Sequence, residues 1–593
     1  MKVAKGSIDA DDLLERIEDL VLRGGRILEA CLTRPADDDL QIPDPRVVGE
    51  AFGRLSDAML ADPERLIDRQ ADYRAQMAAL WQMHLRRSMG EEVPPVIEAD
   101  PRDRRFKDEA WRSDPVFDFL RQSYELTARW LEETVAGVEG LDDATHQKVR
   151  FYTRQYVDAI APTNFVATNP AVLREAAASR GESLYRGFKQ LLDDLERGAG
   201  RLAITTAPAD GCRIGHDVAA TPGRVVLQND LMQLIQYAPM TSRVRRRPLL
   251  IVPPWINKYY VLDLRPENSF VRWAVSAGIT VFVISWVNPD AGLAGKTFDD
   301  YLREGPWAAA AAIERQTGET RLNILGYCLG GTLTAIFLAW LQARRDRRVA
   351  AATFLTTMID FSEPGDLGVF IDDYQLALIE RQMTKKGYLE ARHMQQVFSL
   401  MRANDLIWSF VVNNYLMGRT PLAFDLLHWN ADGTRMPAAM HRFYLRNMYQ
   451  KNLLIHPGGL EIDGTPIDVG KAAVPCYVLA TEDDHIAPWR STYAGARRLG
   501  GRVRFVLAGS GHIAGVVNPP ASGKYGHRTS DALPADPAAW LEASQERSGS
   551  WWPDWLAWLG RRAGGWVDAR DPAAGPLTPI EPAPGSYVRV RTS

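Results

Sequence analysis

The chain has 593 residues, 46% of them apolar and 24% charged, with a formal net charge of −4. That composition excludes a disordered or fibrous chain, and the length predicts a large catalytic domain with a further region before it. The near-balance of charge argues against nucleic acid as a main partner, because phosphate binding needs clustered positive charge. Arg243 with Arg245, Arg246 and Arg247 forms a basic cluster, but it leads straight into an apolar run and reads as the solvated start of a strand.

Residues 1–200 are predicted to be mostly helical, with the first part mobile. Residues 117–131 and 183–195 place apolar side chains at steps of three and four, as an amphipathic helix requires. From about 201 the texture changes. Short β-rich runs appear near 224–228, 248–252, 279–286, 322–326, 351–357, 475–480 and 503–508, many separated by helical stretches. Several are continuously apolar, as expected when both faces of a sheet are covered. The prediction is an α/β fold with a mostly parallel sheet in a catalytic domain over 201–593. A helical cap insertion is expected at about 360–470, rich in aromatics, Met and Leu and without obvious strands. A tail with Trp551, Trp552 and Trp555 closes the chain and is expected to pack on the core. Residues 322–343 carry no charge and are long enough to cross a bilayer, yet Gly326, Gly330 and Gly331 interrupt them, so a buried strand, turn and helix is expected and no transmembrane segment. Cys31, Cys212, Cys328 and Cys476 lie far apart with no C-x-x-C pair, so neither a metal site nor a disulfide framework is expected. Few cysteines and no apolar leader predict a cytoplasmic chain.

The chemistry centres on Gly326-Tyr327-Cys328-Leu329-Gly330-Gly331, between an apolar strand and a helix. This is the nucleophile elbow pattern G-x-S-x-G with Cys in place of Ser. A helix N-terminus favours negative charge, which assists a thiolate and an oxyanion, and the Leu329 N–H is the expected first oxyanion donor. Downstream, one strand ends in Glu482-Asp483-Asp484-His485 and the next in Gly509-Ser510-Gly511-His512. Nucleophile, acid and base thus follow in the order of an α/β-hydrolase triad, with three acids open on spacing. The loop Pro253-Pro254-Trp255-Ile256-Asn257-Lys258-Tyr259-Tyr260 follows an earlier strand, where this fold supplies the second oxyanion N–H; Ile256 is the candidate.

These motifs resemble the polyhydroxyalkanoate synthases, especially the single-subunit type that prefers short acyl chains, and therefore the α/β-hydrolase fold. The resemblance runs from about 110 to 593 and includes the loop at 253, Asn164-Phe165-Val166-Ala167-Thr168-Asn169-Pro170, Ser510-Gly511-His512-Ile513-Ala514-Gly515, and the tail. It implies a triad of Cys328, Asp484 and His512, the acid being the Asp directly before His485-Ile486-Ala487-Pro488-Trp489. It also implies polymerisation of (R)-3-hydroxyacyl-CoA, in the first instance 3-hydroxybutyryl-CoA, with release of CoA. No metal or cofactor, a homodimer and association with the surface of a cytoplasmic polyester granule follow from it. Trp429 lies in a stretch that the family associates with dimerisation. Arg402 resembles a cap arginine, read here as an ion-pair partner before a CoA contact. Two rivals stand beside this reading: a Cys-nucleophile thioesterase of the same fold, and a non-catalytic protein of the granule surface.

Overall fold

A computed structural model describes residues 10–33, 40–208 and 210–592. The mobility expected at the start of the chain falls partly on residues 1–9 and 34–39, which lie outside the described residues. The chain divides into two units, one of Met1–Pro208 with Gln396–Leu422, the other of Ala209–Gln395 with Ala423–Ser593.

The first unit is helical. Its longer helices are α1 (Ala10–Leu32), α2 (Pro45–Ala61), α3 (Pro63–Ser88), α4 (Pro115–Ala136), α5 (Asp143–Ala159) and α6 (Glu182–Arg197). Proline at the first position and an aspartate cap start α2, α3 and α4, where Asp44, Asp62 and Asp114 accept from free backbone N–H groups. Apolar faces meet in small clusters: Ala51, Leu55, Val135 and Val149 in one, Leu80, Met83 and Leu126 in another. Part of the expected cap insertion belongs to this unit. Asn404 Nδ2 donates to Asp158 Oδ1 at 2.7 Å, and Tyr415 Oη donates to Asp194 Oδ2 at 2.5 Å. Gly187 permits that approach, since a Cβ there would lie 1.9 Å from the Tyr415 carbonyl oxygen.

The second unit is built on an eleven-stranded sheet. In chain order its strands are β1 (Gly223–Gln228), β2 (Met232–Tyr237), β3 (Leu249–Val252), β4 (Val281–Trp286), β5 (Leu322–Tyr327), β6 (Val349–Leu355), β7 (Cys476–Thr481), β8 (Val503–Ala508), β9 (His527–Thr529), β10 (Gln545–Arg547) and β11 (Glu581–Pro582). Across the sheet they run β10-β9-β8-β7-β6-β5-β3-β4-β2-β1-β11. The six from β8 to β4 are parallel, and both flanks are antiparallel. Strands β3 to β7 are buried along their whole length, as their unbroken apolar runs require.

Strand β2 has no counterpart in the sequence reading. Gln233 and Gln236 interrupt its apolar run, yet both are buried, because the tail supplies their partners: Glu581 Oε1 for Gln233, the Arg570 carbonyl for Gln236. The insertion also holds short strands where none were expected. Tyr388–Leu389 pairs with Met436–Pro437, and Glu461–Ile462 with Thr465–Pro466. Residues 322–343 form β5 and the buried helix α7 (Leu329–Ala343). Among the described residues no helix is long and apolar enough to cross a membrane.

Candidate active site

Four segments reach the carboxyl edge of the parallel strands, where this class of sheet builds its sites. Cys328 follows β5, Pro253 follows β3, Asp484 lies just beyond β7, and His512 lies just beyond β8.

Cys328 caps α7 with φ 52° and ψ −120°, a conformation that L-residues rarely adopt, and its N–H donates to the Leu355 carbonyl at 2.9 Å. The flanking glycines make this turn possible. A Cβ on Gly326 would lie 2.4 Å from the Gly331 Cα, and one on Gly330 would lie 2.0 Å from the Val252 carbonyl oxygen. The second contact places the chain after β3 against the elbow. Leu329 opens α7, so its N–H is one that a helix leaves without an internal acceptor. Among the described residues neither the Leu329 nor the Ile256 N–H donates to a protein atom.

The three acids separate by burial. Glu482 and Asp483 are exposed, whereas Asp484 is buried with its carboxylate fully covered. Its Oδ1 accepts from the N–H groups of Ile486 at 2.9 Å and Ala487 at 2.8 Å. Its Oδ2 accepts from Thr481 Oγ1 at 3.3 Å and lies 2.8 Å from His512 Nδ1. Burial alone would lower the His512 pKa, but the Asp484 carboxylate hydrogen-bonded to it and the neighbouring Cys328 outweigh that and raise the value to about 10. Tyr327 stacks on the imidazole with ring centroids 5.6 Å apart. The loop after His512 is held by the tail: Trp551 Nε1 donates to the Gly515 carbonyl and Trp552 Nε1 to that of Val516.

A family model described as "Poly-beta-hydroxybutyrate polymerase (PhaC) N-terminus" matches residues 102–274, and one described as "alpha/beta hydrolase fold" matches residues 306–519. The poly(3-hydroxyalkanoate) polymerase of Methylorubrum extorquens is 50% identical over 539 residues, covering 91% of this chain and 89% of that one. The poly(3-hydroxyalkanoate) polymerase subunit PhaC of Rhizobium meliloti (strain 1021) is 48% identical over 91% of this chain and 88% of its own. That of Cupriavidus necator is 43% identical over 89% of each. The chain belongs to the poly(3-hydroxyalkanoate) polymerase family.

Within this polymerase chain, two further residues that sequence reasoning did not single out are coupled electrostatically to Cys328. Tyr444 and Tyr449 come from the insertion, with ring centroids 5.6 Å apart. Burial chiefly pushes both phenols up in pKa; Tyr449 and then Cys328 add to it for Tyr444, and Cys328 adds to it for Tyr449. Trp255 packs edge-on against Tyr444 at 5.6 Å and extends the aromatic wall. The aromatic content of the insertion was the only signal for them. Trp429 is buried within its own chain, and its indole donates to the Lys258 carbonyl at 2.7 Å. Arg402 belongs to the helical unit and pairs with Asp405 on the surface. Among the described residues no group of three or more His, Cys, Asp or Glu side chains is arranged to hold a metal ion.

Proposed function

We propose that the chain polymerises (R)-3-hydroxyacyl-CoA, 3-hydroxybutyryl-CoA in the first instance, into a polyester with release of CoA, through a triad of Cys328, His512 and Asp484. The observation that carries this reading is the buried Asp484–His512 pair, with Nδ1 2.8 Å from Oδ2 and the imidazole coupled electrostatically to Cys328, in a member of the polymerase family. A histidine that keeps its proton beside Cys328 suits a thiolate nucleophile.

In the first half-reaction the Cys328 sulfur attacks the acyl carbon of the CoA thioester. The carbonyl oxygen takes up negative charge facing the Leu329 and Ile256 N–H groups. The C–S bond to CoA then breaks, and the departing thiolate receives the proton held on His512. In the second, the 3-hydroxyl of another acyl unit attacks the Cys328 thioester, its proton passes to His512, and the Cys328–acyl bond breaks. Asp484 keeps His512 Nδ1 protonated, so that Nε2 is the atom that accepts and returns the proton. Cysteine suits a polymerase, because exchange of one thioester for another keeps the acyl group activated, and the transfer to oxygen is downhill. Water reaching the acyl-enzyme would divert it to free acid, and the wall of Trp255, Tyr444 and Tyr449 is suited to excluding it.

The test follows thiol release and turbidity together, with purified protein and 3-hydroxybutyryl-CoA, beside Cys328→Ala. Both signals are expected, and both are lost in the variant. Thiol release in clear solution with free 3-hydroxybutyrate would make the chain a thioesterase. Substantial turnover by Cys328→Ala would remove the proposed nucleophile. We further propose that the chain needs no metal or cofactor and works as a cytoplasmic homodimer at the surface of a polyester granule; retained activity after chelation, light scattering in solution and co-sedimentation with polymer test these in turn.

A further inference from the structure

We propose that the buried ion pair between Lys258 and Asp432 is a positioning device for the loop that bears the second oxyanion N–H, and that it sets the rate of acyl transfer to Cys328 without touching substrate. The inference rests on the synthase reading above and on Ile256 as an oxyanion donor.

The stretch from Pro253 to Tyr260 leaves β3 and pairs with no strand of the main sheet. It is tied instead to one segment of the insertion. The Trp255 carbonyl accepts from Thr434 Oγ1 at 2.9 Å, Asn257 forms an isolated antiparallel bridge with Gly433, and the Lys258 carbonyl accepts from the Trp429 indole. Lys258 Nζ lies 2.7 Å from Asp432 Oδ1, and Tyr260 Oη donates to Asp432 Oδ2 at 2.9 Å. The residues on both sides of Ile256 are therefore held, while its own N–H has no acceptor among the described residues. One carboxylate grips two side chains that are two residues apart in the loop, which fixes the direction of the backbone as well as its place.

The cost of this pair makes it informative. The side chains of Lys258 and Asp432 are only 2% and 7% exposed. Burial pulls the Lys258 pKa down against the pull of the Asp432 charge. A pair so desolvated contributes little net stability compared with apolar side chains of the same shape. Its gain is geometric, because a displacement of about 1 Å at a site of charge development can cost about a hundredfold in rate.

The experiment compares wild type, Lys258→Met/Asp432→Leu and Tyr260→Phe. Three quantities are read: the melting temperature, kcat and KM for CoA release from 3-hydroxybutyryl-CoA, and the rate of Cys328 alkylation by iodoacetamide. Alkylation uses the thiolate and the triad but forms no oxyanion, so it separates loop placement from nucleophile activation. The double variant is expected to fold, to alkylate at the wild-type rate, and to lose about a hundredfold in kcat with KM changed by a few-fold at most. Tyr260→Phe keeps the ion pair and removes one tie, and is expected to lose about three- to tenfold in kcat with alkylation unchanged; it decides the matter if the double variant does not fold. Wild-type kcat in the folded double variant, or in Tyr260→Phe when the double variant fails to fold, overturns the inference, as does a parallel loss of alkylation and turnover. A wild-type protein that releases no CoA at all overturns the synthase reading, and this inference with it.

Discussion

Replacing Asp484 by Asn tests the proposed site at one atom. The carboxylate has two faces: Oδ1 holds the Ile486 and Ala487 N–H groups, and Oδ2 faces Thr481 Oγ1 and His512 Nδ1. An asparagine amide can serve only one face with its oxygen. Turning the oxygen toward His512 would leave two buried backbone donors facing an NH2 group, at about 1–3 kcal/mol each. Keeping it on the backbone pair satisfies every group, because the threonine hydroxyl can rotate to accept from the NH2. The variant therefore folds, but His512 Nδ1 becomes an acceptor and the ring proton moves to Nε2, facing Cys328. The ring can then no longer take the thiol proton. The expected loss in CoA release is about 10³- to 10⁴-fold, with a melting temperature close to wild type. Glu482→Gln and Asp483→Asn, both on exposed side chains, are expected to stay within a few-fold. Measured by thiol release under saturating substrate, an Asp484→Asn enzyme that kept a tenth of wild-type activity would refute the assignment. So would an equal loss at Glu482 or Asp483.

Three further outcomes are expected. The folded-state pKa of His512 lies above its ordinary value of 6.5, at about 10. Its pairing with Asp484 and Cys328 thus stabilises the fold in full below about pH 6.5 and ceases to do so as pH rises through about 10. The unfolding free energy of wild type minus that of Asp484→Asn, measured in urea, should shrink steadily across that interval. Gly330→Ala forces a methyl against the Val252 carbonyl and is expected to cost about 3 kcal/mol, whereas Gly49→Ala, in α2 with open space around it, should add about 0.5–1 kcal/mol; denaturant midpoints check both. Trp552→Ala empties a fully buried site under the His512 loop and should cost about 3–5 kcal/mol, with Trp552→Phe losing about 1–2 kcal/mol from the orphaned Val516 carbonyl, read by chemical denaturation.

Much of the candidate site was legible because its signals are local. A strand, a tight turn and a helix leave their marks within a dozen residues, so the cysteine elbow announces itself, and an acid and a histidine just past later strands announce their order. The parallel core was legible for the same reason, since burial on both faces writes an unbroken apolar run. Strand β2 was not, because Gln233 and Gln236 look solvent-bound until residues 570–586 arrive to pair with them.

By itself, then, the sequence determined the α/β architecture and the family, and offered Cys328 as the candidate nucleophile and, through the family's motif, Asp484 as the candidate acid. Only the tertiary structure supplied the physical ground for that choice, as one turn buries Asp484 against His512 and leaves Glu482 and Asp483 in solvent. It also decided that residues 396–422 pack with the helical unit, that the tail tryptophans pin the His512 loop, and that Asp432 reaches Tyr260, 172 residues away. These are encounters between distant parts of the chain. Periodicity records which face of an element is buried, but not which element will cover it, and a polar group's partner is fixed only when the chain has folded back upon it.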